Sequence, residues 1–246
     1  MSALYTFAVV DSHPPLRFDV SARLRVVTAA GLSAVVEPAD VAEYEGERLE
    51  RNLADRGWLE SAVRHHEGVI EELLDGRAVV PMRFGSIFST EAGLVAMLDE
   101  HAARFSQLLD SVRGRREWGV RLLADRDALV RRLAPAATAA TTGSDYLRRR
   151  RAEMQAGDEV SAMAAALSQE VTAELAALAE HHVLLHPRQA DPGTLVTASF
   201  LIPVADEGRF LARAEELDAA HDGLSLVVTG PWPAYSFTAA DVGGPA

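Results

Sequence analysis

Histidines are the residues of this chain whose chemical type and spacing come closest to a metal site. They form two groups in the sequence, His65-His66-Glu67 and His181-His182 with His186. The spacing from His182 to His186 is one helical turn, which would place two imidazoles on one face of a helix. Neither group belongs to an HExxH motif, and Pro187 ends any helix close to His186. We therefore interpret these histidines as helix-end and surface residues, and we predict no metal site.

Nucleophilic and cofactor chemistry has no sequence signature in this chain. Cysteine is absent, which excludes a thiolate ligand, a cysteine nucleophile and a disulfide framework. The sequence contains no GxSxG motif, no P-loop and no GxGxxG fingerprint. The spacing of its serines, histidines and acids nominates no catalytic triad. We predict no catalytic residue and no cofactor.

Arg83 interrupts an otherwise apolar segment, VVPMRFGSIF at Val79–Phe88. The valines and Pro81 favour an extended backbone, so the segment is predicted to begin as a strand. Strand alternation assigns its residues to two faces, with Val80, Met82 and Phe84 on one and Val79, Pro81, Arg83 and Gly85 on the other. We expect Met82 and Phe84 to lie in the core. Arg83 then either pairs with a carboxylate of a helix or faces a partner.

A second unusual segment, GPWPAYSF, occupies Gly230–Phe237 near the end of the chain. Its prolines favour an extended backbone that leaves the preceding strand. One interpretation is an aromatic plug that closes the C-terminal core. The alternative is a surface for a protein partner, because Trp, Tyr and Arg are enriched at the anchoring positions of interfaces. Arg83, Trp232 and Tyr235 are therefore our candidate partner-contact residues.

Composition limits the remaining classes of function. The chain has 246 residues, 48% of them hydrophobic, which is enough for one large domain or two small ones. Its net charge of −12 would repel a phosphate backbone, so nucleic-acid binding is not expected. No apolar run is long enough to span a membrane, and the first residues lack the basic start of a secretory signal. We expect a cytoplasmic protein.

The first half of the chain is predicted to have the order β-β-β-α-β-α. The predicted elements are strands at 4–10, 24–27 and 32–36, a helix at 58–74, the strand that opens the Val79 segment, and a helix from Ser89 or Thr90 to Gly114. The two middle strands are expected to form a hairpin. The last helix carries one apolar stripe that includes His101, which we predict to be a hydrogen-bonded core histidine.

The second half, from Glu117 onward, is predicted to have the order β-α-β-β-α-β. The predicted elements are strands at 117–123, 183–185, 195–202 and 224–229, with helices at 144–181 and 209–220. This is the ferredoxin-like arrangement. Residues 134–143 have the composition of a linker, and Gly157 can break the long helix. We predict an α+β protein of two domains, residues 1–114 and 115–246, each a small, mostly antiparallel sheet with helices.

Four phrases of the sequence resemble one family in the same order along the chain. They are VVPMRFGSIF at Val79–Phe88, REWGVRLL at Arg116–Leu123, GSDYLRRR at Gly143–Arg150 and GPWPAYSF at Gly230–Phe237. With the histidine-containing helix that precedes the first phrase, the resemblance spans almost the whole chain. The chain is identified on these residues as a member of the gas vesicle protein F/L family of accessory proteins.

The resemblance implies a non-enzymatic role in building gas vesicles, without a cofactor or a catalytic residue. Its implied partners are gas vesicle protein A, the small hydrophobic shell protein, and other gas vesicle accessory proteins. It also implies a cytoplasmic protein associated with gas vesicles, which can remain in them as a minor component. The alternative from a different class is a ferredoxin-like haem- or metal-binding enzyme, since ferredoxin-like domains can hold haem.

Overall fold

The chain divides into two compact units. A computed structural model describes residues 3–16, 23–74, 76–125, 143–185, 193–221 and 223–238, without the side chains of 143–158 and 160. The first unit comprises Met1–Arg116 together with Trp232–Ala246, and the second comprises Glu117–Pro231. The division in the chain therefore falls close to the predicted one at 114, but the C-terminal segment groups with the first unit. That these pieces fold as independent domains stays a prediction.

The first unit contains both long and short strands, with helices between them. Its strands are β1 (Ala3–Asp11), β2 (Arg25–Ala29), β3 (Leu32–Ala39), β4 (Val80–Pro81) and β5 (Ile87–Phe88). Its helices are a short 3-10 helix (Val41–Glu43), then α1 (Gly46–Ala54), α2 (Arg56–Leu74), α3 (Glu91–Glu100) and α4 (Ala102–Val112). The predicted order β-β-β-α-β-α is confirmed in part, since α1 forms before α2 and the last predicted strand and the last predicted helix are each divided in two.

The sheet of the first unit has the order β2-β3-β1-β4, and β5 also pairs with β1. The predicted hairpin is β2 and β3, paired antiparallel from Arg25↔Val36 to Ala29↔Leu32. Its turn is made by Ala30 and Gly31, which both have positive φ angles, of 50° and 78°. This is the backbone that a tight hairpin between twisted strands requires.

Helices cover both faces of the β1 region. Every residue of β1 from Ala3 to Val10 is buried, so side chains on both faces are shielded from water. On one face, Tyr5, Phe7 and Val35 pack with the inward residues of α2 in one apolar cluster. On the other face, α3 packs against β2, and α4 packs against β1 and β3. β1 therefore forms the centre of the unit.

The single helix predicted from Thr90 to Gly114 is wrong, because the structure divides it at His101. Thr90 caps α3 as predicted, with Oγ1 accepting a hydrogen bond of 3.1 Å from the Gly93 amide. His101 has φ −105° and ψ 15°, which is outside the helical range, and its ring is only half-buried rather than in the core. α3 and α4 nevertheless both bury their apolar residues in the first unit, so the predicted apolar stripe continues from one helix to the next.

The two-faced strand predicted at the start of the Val79–Phe88 segment, up to Gly85, is also wrong in part. Val80 and Pro81 pair with β1, opposite Val9 and Ala8, and the chain then turns before Ile87 and Phe88 of β5 pair with β1 again. Val79 and Phe84, which strand alternation assigned to opposite faces, both pack in the apolar cluster that contains Tyr5, Phe7 and Val35. Met82 is buried as predicted and Phe84 is half-buried.

The second unit has the predicted ferredoxin-like order. Its elements are β6 (Arg115–Ala124), α5 (Gly143–Ala176), β7 (His181–Leu185), β8 (Thr194–Pro203), α6 (Glu207–Ala220) and β9 (Leu224–Trp232), with a 3-10 helix at Val204–Asp206. The sheet order is β7-β8-β6-β9. The predicted α+β class is thus confirmed by both sheets.

One apolar core holds the second unit together. Trp118, Val120 and Leu122 alternate along β6 and are buried against Phe200 of β8 and Phe210 of α6. The indole N–H of Trp118 donates a hydrogen bond of 3.1 Å to Oε1 of Glu207. The predicted face of β6 is confirmed.

Two element boundaries in the second unit differ from prediction. α5 is continuous through Gly157 and ends at Ala176, so the helix does not break there as the glycine would allow. β9 continues through Gly230 to Trp232, where the sequence predicted that the chain leaves the strand. Gly230 permits this because its φ is +134° and a Cβ there would lie 2.9 Å from the Glu117 carbonyl oxygen. The linker predicted at 134–143 lies, except for Gly143, outside the described residues.

A last short helix, α7 (Tyr235–Thr238), follows β9 and packs against β4 of the first unit. Ala234 and Thr238 are buried at its two ends. No helix among the described residues is long and apolar enough to cross a membrane.

Candidate functional site

The turn that carries Arg83 is fixed by hydrogen bonds on both sides. The Arg83 carbonyl oxygen accepts from the Ser86 amide at 3.1 Å and from the Ser86 hydroxyl at 2.7 Å. Gly85 stands at the turn position that needs a positive φ, and its φ is 83°. The Arg83 side chain is exposed. The turn therefore presents this guanidinium from a backbone that is held in place.

Tyr5 connects this turn to α2 from within the core. Its hydroxyl oxygen accepts a hydrogen bond of 3.1 Å from the Gly85 amide and lies 2.9 Å from Nδ1 of His66. Either the hydroxyl donates to Nδ1 or Nδ1–H donates to the hydroxyl oxygen, and the tautomer of neutral His66 decides which. Tyr5 thus joins the turn and the helix through a single oxygen atom.

Burial controls the protonation of both rings. His66 is 1% exposed, and its Nε2 makes no hydrogen bond to a described residue. Burial lowers the pKa of His66 to about 4, although the Met82 backbone favours the charged ring. Burial likewise raises the pKa of Tyr5 above its usual range, against the effect of the Gly85 amide. Both groups are therefore neutral near pH 7.

Aromatic rings surround this pair. The Tyr5 ring lies 4.8 Å from that of Phe7 and 5.6 Å from that of Tyr44, and His66 lies 5.7 Å from Phe84 in an edge-to-face arrangement. Such contacts stabilise more than their buried area alone. We call Tyr5, Phe7, Tyr44, His66 and Phe84 the Tyr5 cluster.

Tyr235 attaches the C-terminal segment to this region of the first unit. Its hydroxyl donates a hydrogen bond of 3.0 Å to Oε1 of Glu67, and its ring packs against the core around Tyr5. Burial raises the pKa of Tyr235, and the charge of Glu67 raises it further. Burial also raises the pKa of Glu67, while the bond from Tyr235 opposes that rise. The prediction that this segment plugs the C-terminal core is wrong, because it packs in the first unit.

The three predicted contact residues have different surroundings. Arg83 is exposed on its turn, Trp232 ends β9 with 40% of its surface exposed, and Tyr235 is half-buried beside Glu67. All three belong to the first unit. Their contact with a partner stays a prediction. Sequence reasoning missed Tyr5, which is remote in the chain from both Gly85 and His66.

The histidine groups do not form metal sites in the part of the chain described. The His65 and His66 rings both contact the ring of Phe7, at 5.4 and 5.8 Å, and Nε2 of His65 lies 3.1 Å from Oε2 of Glu37. His181 and His182 lie on β7 rather than at a helix end, and the His182 ring stacks on Phe200 at 5.9 Å. No group of three or more metal-binding side chains occurs among the described residues.

The hydroxyl, imidazole and carboxylate groups around Tyr5 are hydrogen-bonded within the protein. The hydroxyl and imidazole groups bond to one another, and the carboxylate of Glu67 is taken up by Tyr235. Neutral, internally bonded groups stabilise a fold but offer no nucleophile to a substrate. The cluster therefore acts as a scaffold for the turn of Arg83 and for the C-terminal segment.

Comparison with known proteins gives one consistent result. The family model described as "Gas vesicle synthesis protein GvpL/GvpF" matches residues 3–239. Gas vesicle protein L of Streptomyces sp. (strain CB03234) is 30% identical over 87% of this chain and 82% of its own length. Gas vesicle protein F2 of Halobacterium salinarum is 28% identical over 98% of this chain and 94% of its own.

A solved structure shares the fold. The crystal structure of the gas vesicle protein GvpF from Anabaena sp. PCC7120 aligns with a TM-score of 0.74 and 20% identity, covering 98% of this chain and 100% of that chain. The crystal structure of GvpF from Microcystis aeruginosa aligns with a TM-score of 0.70. At sequence identities of 20% and 17%, the structural similarity establishes the fold alone. The role in gas vesicle formation is supported by the family match.

Proposed function

Because the chain belongs to the gas vesicle synthesis protein GvpL/GvpF family and has a role in gas vesicle formation, we propose that it binds unassembled gas vesicle protein A, the hydrophobic shell subunit. In this proposal the chain is an accessory protein rather than an enzyme. It holds shell subunits in a state competent for assembly, associates with gas vesicles, and can remain in them as a minor component.

The observation that supports this proposal is that the first unit combines internally bonded polar groups with exposed apolar side chains. The polar groups of the Tyr5 cluster bond to one another, whereas apolar side chains of Val26, Leu53, Val63 and Trp232 are exposed on the surface. A shell subunit must expose apolar surface before it packs, and an accessory protein can shield that surface only with apolar surface of its own. The first unit offers both a rigid scaffold and such surface.

Arg83, Trp232 and Tyr235 are the proposed contact residues. Arg83 is presented by a fixed turn and Trp232 by the end of a strand, so neither would need to be ordered on binding. Tyr235 contributes by holding its segment against Glu67. Arg and Trp are also the residue types most often found at the energetic centre of interfaces.

The direct test is co-purification of gas vesicle protein A with the tagged chain after co-expression. We expect a complex at micromolar concentration, weakened by Arg83→Ala and by Trp232→Ala. Arg104→Ala, which changes an exposed arginine of α4, is the matched control and should bind normally. Thermal unfolding of each variant separates lost binding from lost folding.

Several results would contradict the proposal. Absence of any complex would do so, as would a Soret band or bound metal in the purified protein, which would favour the haem or metal enzyme. If Arg83→Ala unfolds the chain, Arg83 has a structural role and is withdrawn as a contact. Gene deletion followed by electron microscopy tests the role in cells, and retention in washed vesicles tests the minor component.

A further inference from the structure

The turn that carries Arg83 is an excursion from one strand pair rather than a loop between two separate pairs. Pro81 pairs with Ala8 of β1, and Ile87 pairs with Tyr5 of the same strand. The step between these pairs is three residues along β1 but six along the opposite segment, so three extra residues leave the ladder. Insertions of this kind re-aim side chains and are over-represented next to functional sites.

Backbone hydrogen bonds to β1 hold both ends of this excursion. The Met82 amide donates a bond of 2.8 Å to the Phe7 carbonyl oxygen. The Ser86 carbonyl oxygen accepts one of 2.8 Å from the Thr6 amide. We call residues 82–86 the Arg83 turn. The three residues between its anchored ends are Arg83, Phe84 and Gly85.

The middle of the Arg83 turn is fixed by a side chain from the core. The Gly85 amide donates a hydrogen bond of 3.1 Å to the hydroxyl of Tyr5, which lies 80 positions earlier in the chain. The Phe84 ring packs edge-to-face on the rings of His66 and Tyr5, at 5.7 and 6.3 Å. Both residues that follow Arg83 are therefore attached to the core.

The bonds inside the Arg83 turn shape it without attaching it to the core. The hydroxyl and the amide of Ser86 both donate to the Arg83 carbonyl oxygen, at 2.7 and 3.1 Å. These bonds link residues only three positions apart, so they leave the tilt of the turn relative to the sheet undetermined. The bond to Tyr5 fixes that tilt, because it joins the turn to a buried group of β1.

The Tyr5 hydroxyl is itself held in one place. The residue is 2% exposed, and its oxygen lies 2.9 Å from Nδ1 of His66 on α2. The Tyr5 ring also contacts the rings of Phe7 and Tyr44, at 4.8 and 5.6 Å. A hydroxyl has one hydrogen and two lone pairs, so it can serve the Gly85 amide and His66 together. An acceptor locked by packing and by a second hydrogen bond keeps the group that it holds in a defined position.

We propose that Tyr5 is a positioning residue for the contact that Arg83 makes with a shell subunit. The inference rests on the proposed function, in which Arg83 is a contact residue, and adds the group that sets its direction. The Tyr5 hydroxyl acts through the Gly85 amide and keeps the Arg83 turn in its binding orientation before the partner arrives. A guanidinium presented in this way loses less conformational freedom on binding, which raises the affinity.

Tyr5→Phe is the decisive variant because it removes the hydroxyl and keeps the ring. The ring contacts with Phe7 and Phe84 remain, so the chain should fold, with a melting temperature lower by no more than about 5 °C. Tyr44→Phe is the matched control. It removes the hydroxyl of a second tyrosine of the Tyr5 cluster, for which no hydrogen bond is found among the described residues.

Amide hydrogen exchange tests the positioning in the chain alone. In the wild type the Gly85 amide should exchange slowly although the residue is exposed, because Tyr5 holds its hydrogen. In Tyr5→Phe it should exchange at least about tenfold faster, while the amide of Val35 in β3 changes little. A general loss of stability would instead speed exchange at both amides. Tyr44→Phe should leave the exchange at Gly85 as in the wild type.

A double-mutant cycle tests whether Tyr5 acts through Arg83. Binding of the purified chain to gas vesicle protein A is measured for the wild type, Tyr5→Phe, Arg83→Ala and the double variant. Tyr5→Phe alone should lower the affinity about three- to tenfold, which corresponds to the ordering of one side chain. In the Arg83→Ala background the same change should lower it by less than about twofold, because the side chain to be positioned is absent. Tyr44→Phe should bind like the wild type.

The outcomes separate this inference from the proposed function. If the wild type binds and Tyr5→Phe binds equally well, the inference is overturned and the proposed function stands. Equal losses of affinity in both backgrounds, free exchange of the wild-type Gly85 amide, or failure of Tyr5→Phe to fold would also overturn it, since Tyr5 would then serve only the stability of the fold. If the wild type does not bind, the proposed function fails and the inference fails with it.

Discussion

The two flanks of α2 lie on the same helix and over the same sheet, but one is covered by the C-terminal segment and the other is exposed. Towards β4, Glu67 is hydrogen-bonded by Tyr235 at 3.0 Å, and the ring of Tyr235 closes the core. Towards β2, Arg64 and Glu72 have no described partner and Gly68 leaves a notch. The covered flank therefore contributes to stability, whereas the exposed charges of the other flank are expected to contribute little.

This difference follows from how charge and burial act together. A polar group that is buried must be paired within the protein, or folding bears the cost of its desolvation. An exposed charge has no such requirement, so it can be kept for a partner at almost no cost in stability. Substitutions on the covered flank should thus change stability, and those on the open flank should change binding.

The largest expected effect is the pH dependence caused by His66, in the core beneath α2. Its pKa is about 4 in the folded chain and 6.5 in the unfolded chain, so the unfolded state binds the proton first as the pH falls. Stability is complete above pH 6.5 and falls by about 3 kcal/mol between pH 6.5 and pH 4. Urea unfolding at several pH values measures this loss.

His66→Gln is the control for this pH dependence. Glu67, Tyr5 and Tyr44 face the same region in both proteins, and the raised pKa of Glu67 acts in the opposite direction to that of His66. The difference between wild type and variant therefore isolates His66. Equal pH slopes in the two proteins would show that His66 is not the group responsible.

Truncation of Tyr235 is expected to have the next largest effect. Tyr235→Ala removes a half-buried ring and its bond to Glu67, and should lower the free energy of unfolding by about 2 kcal/mol. Tyr235→Phe keeps the ring and should cost about 1 kcal/mol. Chemical denaturation measures both. A neutral result for Tyr235→Ala would mean that the covered flank does not need the C-terminal segment.

Glycine-to-alanine substitutions should have smaller effects of opposite sign at two helical positions. Gly68→Ala should raise stability by about 0.5–1 kcal/mol, because alanine favours a helix and the site is open. At Gly93 the new Cβ would lie 3.2 Å from the Thr90 oxygen that caps α3, so Gly93→Ala should gain less or destabilise. Thermal unfolding distinguishes the two. An equal gain at both positions would contradict the description of the open flank.

The smallest effect on stability is expected for the unpaired charges of the open flank. Arg64→Gln and Glu72→Gln should each change the free energy of unfolding by less than about 0.5 kcal/mol. The exposed ion pair of Arg113 and Asp11, disrupted by Arg113→Gln, provides the comparison on the same unit. A loss above about 1 kcal/mol for Arg64→Gln would show that this arginine has a structural partner.

Sequence patterns predicted the elements of this fold better than their ends. The helical periodicity of apolar residues in α2 and the order of strands and helices in the second unit could be predicted, because each depends on residues that are close in the sequence. The break at His101 was not, since the buried stripe runs through both helices. The continuation of β9 depends on contact between Gly230 and Glu117, far apart in the chain.

The candidate site could be predicted only in outline. Arg83 and Trp232 were recognisable by type and are exposed as a contact residue must be. The bond from Tyr235 to Glu67 joins residues 168 positions apart, which no local pattern can indicate. His65 and His66 are consecutive and both contact Phe7, but His65 reaches Glu37 at the surface whereas His66 is buried, a difference that the sequence does not indicate.

The absence of cysteine makes one measurement especially direct. A single cysteine at Gly68 or, as control, at Glu60 carries a photo-crosslinker on the same helix, since Glu60 shares the face of Glu67 and not of Gly68. In cells that form gas vesicles, we expect a crosslink to gas vesicle protein A from position 68 and little or none from position 60. Equal crosslinking from both positions, or crosslinking from position 60 alone, would contradict it.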